Sequence, residues 1–313
     1  MILVTGESLI DMLPRNLGGE PCLRPVPGGS PFNVALALGR LAAPVRYLCR
    51  LSEDPFGDLL TRTLKESGVD LNWCPRTRAL STLGFVDLDP KSGSARYSFY
   101  TDNTAGCSLT PADVPSPLPS TVEAVHVGSF AMAIEPFGSA IETLVERELG
   151  ERCLSLDPNI RSFLVGNRDR FLLRYLRIAG RADLLRMSLE DVEWLHPRSK
   201  PEEVARAYLD AGVKLVVITR GADGASAFSR QHEVSVQAPE VKVVDTVGAG
   251  DTFQAALLCW LWERQRLTRA GLASLTKEEI QSLLQFASAA ASVTCSRAGC
   301  NPPTRKDLPG ATG

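Results

Sequence analysis

The chain has 313 residues, of which 44% are hydrophobic and 22% charged, the composition expected of an ordinary globular protein with a sizeable core. Lys and Arg number 34 against 36 Asp and Glu, and the net charge of −2 with no basic cluster argues against nucleic acid or an anionic membrane as partner. The opening MILVTGESLID carries Glu7 and Asp11 where a signal peptide would be apolar, and no apolar run approaches the roughly 20 residues that span a bilayer, so a cytoplasmic location is expected.

In chain order, ILVTGESLI reads as a first strand, closed by Asp11. Residues 13–29 then have no helical period. GGSPFNVA follows and leads into the helical pattern PFNVALALGRLA. Ser30 can cap that helix, and Pro31 suits its first turn because it has no amide hydrogen to leave unpaired. Gly28 and Gly29 let a backbone come close to a ligand, and Asn33 offers both a donor and an acceptor. A tight turn into a well-capped helix, with Asn33 merely exposed, explains the same eight residues equally well.

Residues 81–105 break the helical rhythm again. GFVDLD and ARYSFYTD flank the turn residues PKSG, a hairpin signal, and suggest a small sheet projecting from the main body. TPADVPSPLPS, 110–120, is Pro/Ser-rich and reads as a connector. Beyond it the apolar runs EAVHVGSF, RCLSLDPN, ADLLRMS and KLVVITRG alternate with the helix-like FGSAIETLVEREL, NRDRFLLRYLRIAG and PEEVARAYLDAG. Strands separated by helices imply βαβ units and a mostly parallel sheet covered on both faces.

Ligands of such sheets bind at the carboxyl ends of the strands. One strand ends in Asp157, Asn159 and Arg161, compatible with a binding loop but equally with a D-P-N turn. VVITRGADGA offers Thr219, Gly221 and Gly224; a plain turn between antiparallel strands is the preferred reading of these residues alone. In DTVGAGDTF a helix beginning near Ala249–Asp251 presents unpaired amides and a positive dipole end. Gly248 and Gly250 clear the approach to those amides, and Asp251 there suits a general base beside a phosphoryl group. A simple cap at Asp251 is the competing reading. The eight cysteines are scattered without a CxxC pair, and His126, His196 and His232 are isolated, which argues against a zinc site or metal-dependent hydrolysis.

DTVGAGDTF resembles the C-terminal signature of the PfkB (ribokinase-like) carbohydrate kinases, and GGSPFNVA resembles their N-terminal motif; the pair lies in the family's order, more than two hundred residues apart. The resemblance extends to the C-terminal RAGCNPP. It implies a three-layer α/β/α fold, with a main domain of residues 1–12, 30–80 and 106–313 and a β lid of 13–29 and 81–105. Asp251 would be the catalytic base, and the amides of Ala249, Gly250 and Asp251 an anion hole preceded by Gly248. Asp11, Gly28, Gly29, Asn33, Asn159 and Arg161 would hold the sugar, with Phe99 and Tyr100 of the lid over one face of the ring, although alternating residues of a lid strand explain that pair equally well. Thr219, Gly221 and Gly224 would meet the nucleotide, together with Ser188, Gly248 and Gly250. Asp245, Val247, Arg297 and Gly299 would offer backbone carbonyls to a monovalent cation, potassium. ATP with Mg2+ and a homodimer through the lid are implied as well.

The segment MSLEDVEWL departs from the Asn-x-x-Glu motif of many members, placing Ser188 and Asp191 there, as fructokinase-like members tend to do. Asp191 is the expected magnesium ligand, with Glu190 as fallback. Thr101 stands where an Arg is common in the lid, and only Lys91 and Arg96 are basic nearby, so a small neutral sugar is expected. D-fructose, converted to its 6-phosphate, is the leading candidate, and 2-keto-3-deoxygluconate or another sugar or nucleoside the alternative. A non-catalytic sugar sensor would have no need of Asp251. A dinucleotide-binding dehydrogenase is disfavoured because GESLID replaces GxGxxG, and a Walker-type kinase because no Gly-Lys pair occurs.

Overall fold

A computed structural model describes residues 1–88, 95–150 and 152–308. The strands are β1 (Ile2–Thr5), β2 (Leu9–Leu17), β3 (Glu20–Gly28), β4 (Val45–Leu48), β5 (Leu51–Ser52), β6 (Arg76–Thr77), β7 (Leu83–Leu88), β8 (Ala95–Tyr100), β9 (Ala124–Gly128), β10 (Cys153–Asp157), β11 (Leu184–Ser188), β12 (Leu215–Thr219), β13 (Ala225–Phe228) and β14 (Glu233–Val236). The α-helices are α1 (Ser30–Arg40), α2 (Pro55–Glu66), α3 (Phe137–Thr143), α4 (Arg168–Ala179), α5 (Leu189–Leu195), α6 (Pro201–Asp210), α7 (Ala249–Glu263), α8 (Arg269–Ala273) and α9 (Lys277–Cys295).

The main sheet runs β14-β13-β12-β11-β10-β9-β1-β4, parallel from β4 to β12, with β13 and β14 antiparallel at one edge. Its inner strands are apolar on both faces, as ILVT of β1 shows by being buried at every position. Helices cover the sheet in the three-layer α/β/α arrangement. The chain leaves β1 toward β4 on one side and returns to β9 on the other, so the strand order reverses at β1. Such a reversal opens a crevice at the carboxyl ends of the strands.

Helix α7 is apolar almost all round, and Phe253 to Leu261 are buried without a break. Such a helix must be enclosed rather than lie on the surface. It packs between α1 and α9, which fixes its N-terminus beside that of α1. The TPADVPSPLPS connector at 110–120 is also anchored, through buried Val114 and Leu118.

The second sheet has the order β3-β2-β7-β8. The antiparallel pairing of β7 and β8, Leu83 opposite Tyr100, is the hairpin read from GFVDLD and ARYSFYTD. Its PKSG turn, with Lys91, and the Arg96 side chain lie outside the described residues. One boundary differs from expectation. The first core strand ends at Thr5, and Asp11 belongs to β2, which pairs with β3 from Leu9 onward. The second sheet therefore begins four residues before position 13. Gly6 and the short segment after it separate two strands that the sequence presents as one apolar run.

Among the described residues no helix is long and apolar enough to cross a membrane. The eight cysteines are free thiols. His126 is buried against Ser155, and burial holds its pKa down at about 3, so it is a neutral core side chain.

Candidate active site

A cavity of about 920 Å3 opens between the carboxyl ends of the main sheet and the second sheet. At its centre, on the first turn of α7, stands Asp251, only 7% exposed. Its Oδ1 accepts a hydrogen bond from Ser30 Oγ at 2.7 Å and its Oδ2 one from Asn33 Nδ2 at 2.8 Å. Asn159 Nδ2 reaches the same Oδ1 at 3.3 Å and Ser30 Oγ at 2.7 Å. Three parts of the chain far apart in sequence thus converge on one carboxylate. Burial raises its pKa, and the bonds from Ser30 and Asn33 hold it down in part.

The two helix starts explain the convergence. Asp251 does not cap α7; Gly248 does, at φ 77°, where a Cβ would also fall 2.3 Å from Cys300 Sγ. Ser30 does not cap α1 either. Gly29 occupies the cap at φ 105°, a Cβ there would meet the Glu7 carbonyl at 2.6 Å, and Ser30 lies one residue inside the helix. Freed from capping, Ser30 points its hydroxyl at Asp251. The first turn of α7 presents its amides to the cavity, which Gly248 and Gly250 line.

The sugar-binding candidates Asp11, Gly28, Gly29, Asn33, Phe99, Asn159 and Arg161 all line this cavity. Asn159 holds the left-handed backbone, φ 36°, that turns its amide toward Asp251, and Arg161 Nη1 donates to Asn159 Oδ1 at 2.7 Å. Phe99 stacks on Phe163 with ring centroids 5.6 Å apart and lies 5.9 Å from Phe130, giving the cavity an aromatic wall. Burial pushes the Asp11 carboxyl up to about 6, against the pull of Arg161.

The other candidates are distributed less evenly. Ser188 lines the cavity, whereas among the described residues Thr219, Gly221 and Gly224 do not. Gly221 and Gly224 belong to the turn between β12 and β13, the antiparallel connection that the residues alone favoured. Asp191 is engaged structurally: its Oδ2 accepts from the amide and hydroxyl of Ser188, closing a capping box on α5, and its Oδ1 accepts from the amide of Ile160 at 2.7 Å. These bonds occupy the carboxylate that was expected to serve magnesium. Glu190 instead is exposed and lines the cavity. Asp245 ties two loops together, accepting from the amides of Val247 at 3.0 Å and Gly299 at 2.9 Å, while Arg297 pairs with Asp307.

Two cavity residues were not singled out from the sequence. Glu7 is buried, with Oε2 bound to the amide of Ala131 at 3.1 Å and Oε1 without a partner among the described residues, and burial raises its pKa to about 7. Arg186, on β11, is buried between Asp157 at 2.9 Å and Thr219 at 2.6 Å. A charged residue inside the otherwise apolar ADLLRMS was the available signal for Arg186. Glu7 carried a comparable one inside ILVTGESLI.

The fold is ribokinase-like, and a buried carboxylate on the first turn of a helix whose amides face a cavity rich in hydrogen-bonding groups is an arrangement chemically suited to phosphoryl transfer. The pfkB family of carbohydrate kinases matches residues 1–307, and the chain belongs to that family. It is accordingly an ATP-dependent phosphotransferase acting on a sugar hydroxyl. It is 41% identical over 283 residues to a fructokinase of Rhizobium leguminosarum bv. trifolii, covering 90% of this chain and 86% of that protein. The fructokinase of Xylella fastidiosa, solved with bound ATP, superposes with a TM-score of 0.88 at 27% identity, covering 98% of this chain and 94% of the other. A fructokinase of Vibrio cholerae O395, solved with fructose, ADP and calcium ion, gives a TM-score of 0.79 at 27% identity, covering 96% and 94%.

Proposed function

We propose that the chain phosphorylates D-fructose at its 6-hydroxyl, using ATP with a divalent metal, and that Asp251 is the base. The observation that carries the mechanism is the placement of the Asp251 carboxylate on the first turn of α7, largely buried at the cavity and held by Ser30 and Asn33. The choice of sugar is supported by the 41% identity to the Rhizobium fructokinase. It is also supported by the buried carboxyl of Glu7 and the half-buried carboxyl of Asp11, which suit neutral hydroxyls better than a further carboxylate.

In this mechanism Asp11, Asn33, Asn159 and Arg161 orient the sugar, and Phe99 covers it. As the sugar oxygen bonds to the γ-phosphorus, its proton passes to Asp251 and the bond to the β–γ bridging oxygen breaks, releasing ADP. The amides of Ala249, Gly250 and Asp251 face the charge gathering on the phosphoryl oxygens. Among the described residues no cluster of three metal-ligating side chains exists. That fits a magnesium ion bound chiefly through the nucleotide's phosphates and water, with Glu190 as an exposed carboxylate at the cavity. The ion would neutralise phosphate charge. Potassium binding at the carbonyls of Asp245, Val247, Arg297 and Gly299 is supported by the Asp245 bridge, which fixes the two loops against each other.

ADP release measured with fructose, glucose, ribose, 2-keto-3-deoxygluconate, fructose 6-phosphate and adenosine, with and without potassium, tests the proposal. Turnover should be highest on fructose, and Asp251→Ala should lower kcat by about 10^2–10^4-fold while the protein stays folded and binds the sugar. Best turnover on the keto-acid would overturn the sugar assignment, and an active Asp251→Ala variant the mechanism.

A further inference from the structure

Arg186 has no assigned part in the mechanism above, yet it lies in the same cavity as Asp251. It is the charged residue of β11, 6% exposed, on a strand whose preceding residues are buried apolar side chains. Nη1 donates to Asp157 Oδ2 and Nη2 to Thr219 Oγ1, so the guanidinium is clamped in one orientation by two neighbouring strand ends, β10 and β12. A guanidinium has five donors. The Nε–H is buried with no acceptor among the described residues. A buried donor left unpaired costs stability unless something else, such as a ligand, completes it.

The direction in which that group faces is set by Gly250. A Cβ on Gly250 would lie 3.1 Å from Nη2, 3.3 Å from Nη1 and 3.5 Å from Cζ. The guanidinium therefore sits against the first turn of α7, with no side chain between it and the helix amides. The cluster around it is acidic, with Asp157, Asp191 and Asp251 all within electrostatic reach. Asp191 is tied up in its capping box and Asp251 in its bonds to Ser30 and Asn33, which leaves Asp157 as the paired counter-ion. An ion pair kept solely for stability could be replaced by apolar side chains at little cost. One kept beside a phosphoryl site with spare donors has a chemical use.

We propose that Arg186 is a catalytic residue whose spare donors contact the transferring phosphoryl group and, with the α7 amides, stabilise its transition state. The inference rests on α7 and Asp251 being the transfer centre. During transfer the sugar oxygen–phosphorus bond forms, the bond to the β–γ bridging oxygen breaks, and the proton goes to Asp251. Arg186 keeps its protons throughout and supplies only fixed positive charge in a site where little solvent reorganises.

The test compares the full-length wild type with Arg186→Gln, Arg186→Lys and Asp251→Asn. Steady-state rates are measured with MgATP and fructose, and calorimetry measures binding of MgADP alone and of MgADP with fluoroaluminate and fructose. Arg186→Gln should lose about 10^2–10^3-fold in kcat, the range for removing one transition-state donor. It should bind MgADP within about threefold of wild type yet lose the extra affinity that fluoroaluminate confers, because only interactions specific to the transition state are removed. Arg186→Lys, which keeps charge but not the fork, should fall between. A folded Arg186→Gln with kcat within about threefold of wild type, or one that loses MgADP and fluoroaluminate affinity in parallel, would overturn the assignment. If Gln fails to fold, a folded Arg186→Lys with wild-type kcat overturns it equally. Turnover by Asp251→Asn would instead remove the transfer centre itself, whatever Arg186 does.

Discussion

Asn33 Nδ2 donates to Asp251 Oδ2 at 2.8 Å, joining the first turn of α1 to the first turn of α7 across 218 positions of sequence. Ser30, one turn earlier on the same helix face, donates to the other oxygen. Both oxygens of the proposed base are therefore held by α1. Burial pushes the Asp251 pKa up, and these two bonds, together with the nearby charges of Arg161 and Arg186, keep it from rising further.

A consequence is testable in the pH profile. The base must be ionised to accept a proton, so kcat/KM should fall on the acid side as pH drops through its pKa. Ser30→Ala removes one stabilising bond and should move that acid limb to higher pH by about one unit, with little loss of rate on the alkaline plateau. An unmoved limb would show that another group controls it.

The N-cap of α7 makes a structural prediction. Gly248 combines φ 77° with a Cβ position 2.3 Å from Cys300 Sγ, so Gly248→Ala should destabilise the protein by about 1–3 kcal/mol. Cys300→Ala in the same background should recover part of the loss, because the sulfur clash goes while the backbone strain stays. Urea unfolding of the four proteins measures the coupling. Additivity within about 0.5 kcal/mol would mean that the two residues do not meet.

Glu7 sets a pH dependence of stability. Its folded pKa of about 7 lies above the ordinary 4.5, because burial disfavours the charged form. Its favourable contribution is thus complete below about pH 4.5 and is lost as pH rises through 7. Glu7→Gln has no proton to lose, so between pH 5 and 8 the wild type should lose stability relative to this variant, by on the order of 3 kcal/mol at most. Denaturant midpoints for the two proteins across that range check it; parallel curves would show that Glu7 titrates normally.

Much of this site was legible because its parts are local patterns. Strand–helix alternation in EAVHVGSF through KLVVITRG maps onto β9 to β12, and DTVGAGDTF onto the start of α7. Roles that depend on long-range packing were not. Ser30 has the chemistry of a cap, and only the position of Gly29 one residue earlier releases it toward Asp251. Asp191 follows Ser188 at capping-box spacing, a local signal that outweighed the expected metal role. Arg186 gains its meaning from Asp157 and Thr219 on neighbouring strands, about thirty residues away in either direction. The continuous apolar run hides the break at Gly6, so the sequence pattern joins Asp11 to the first strand when it belongs to β2.

A homodimer through the lid, which the family resemblance implies, would draw on the open edges of the second sheet. Strand β3 is one edge of the second sheet, and β8 the other. Leu23 on β3 is 46% exposed, and Leu17 at the end of β2 is 77% exposed. Open edges carrying exposed apolar side chains favour pairing with another chain. Sedimentation velocity should give twice the mass of one chain, and Leu23→Asp should shift the population toward the monomer by placing a charge on that edge. Because β2 and β3 carry Asp11 and Gly28 at the cavity, loss of the partner should also raise KM for the sugar more than KM for ATP. A wild type that sediments at the mass of one chain at assay concentration would rule the dimer out.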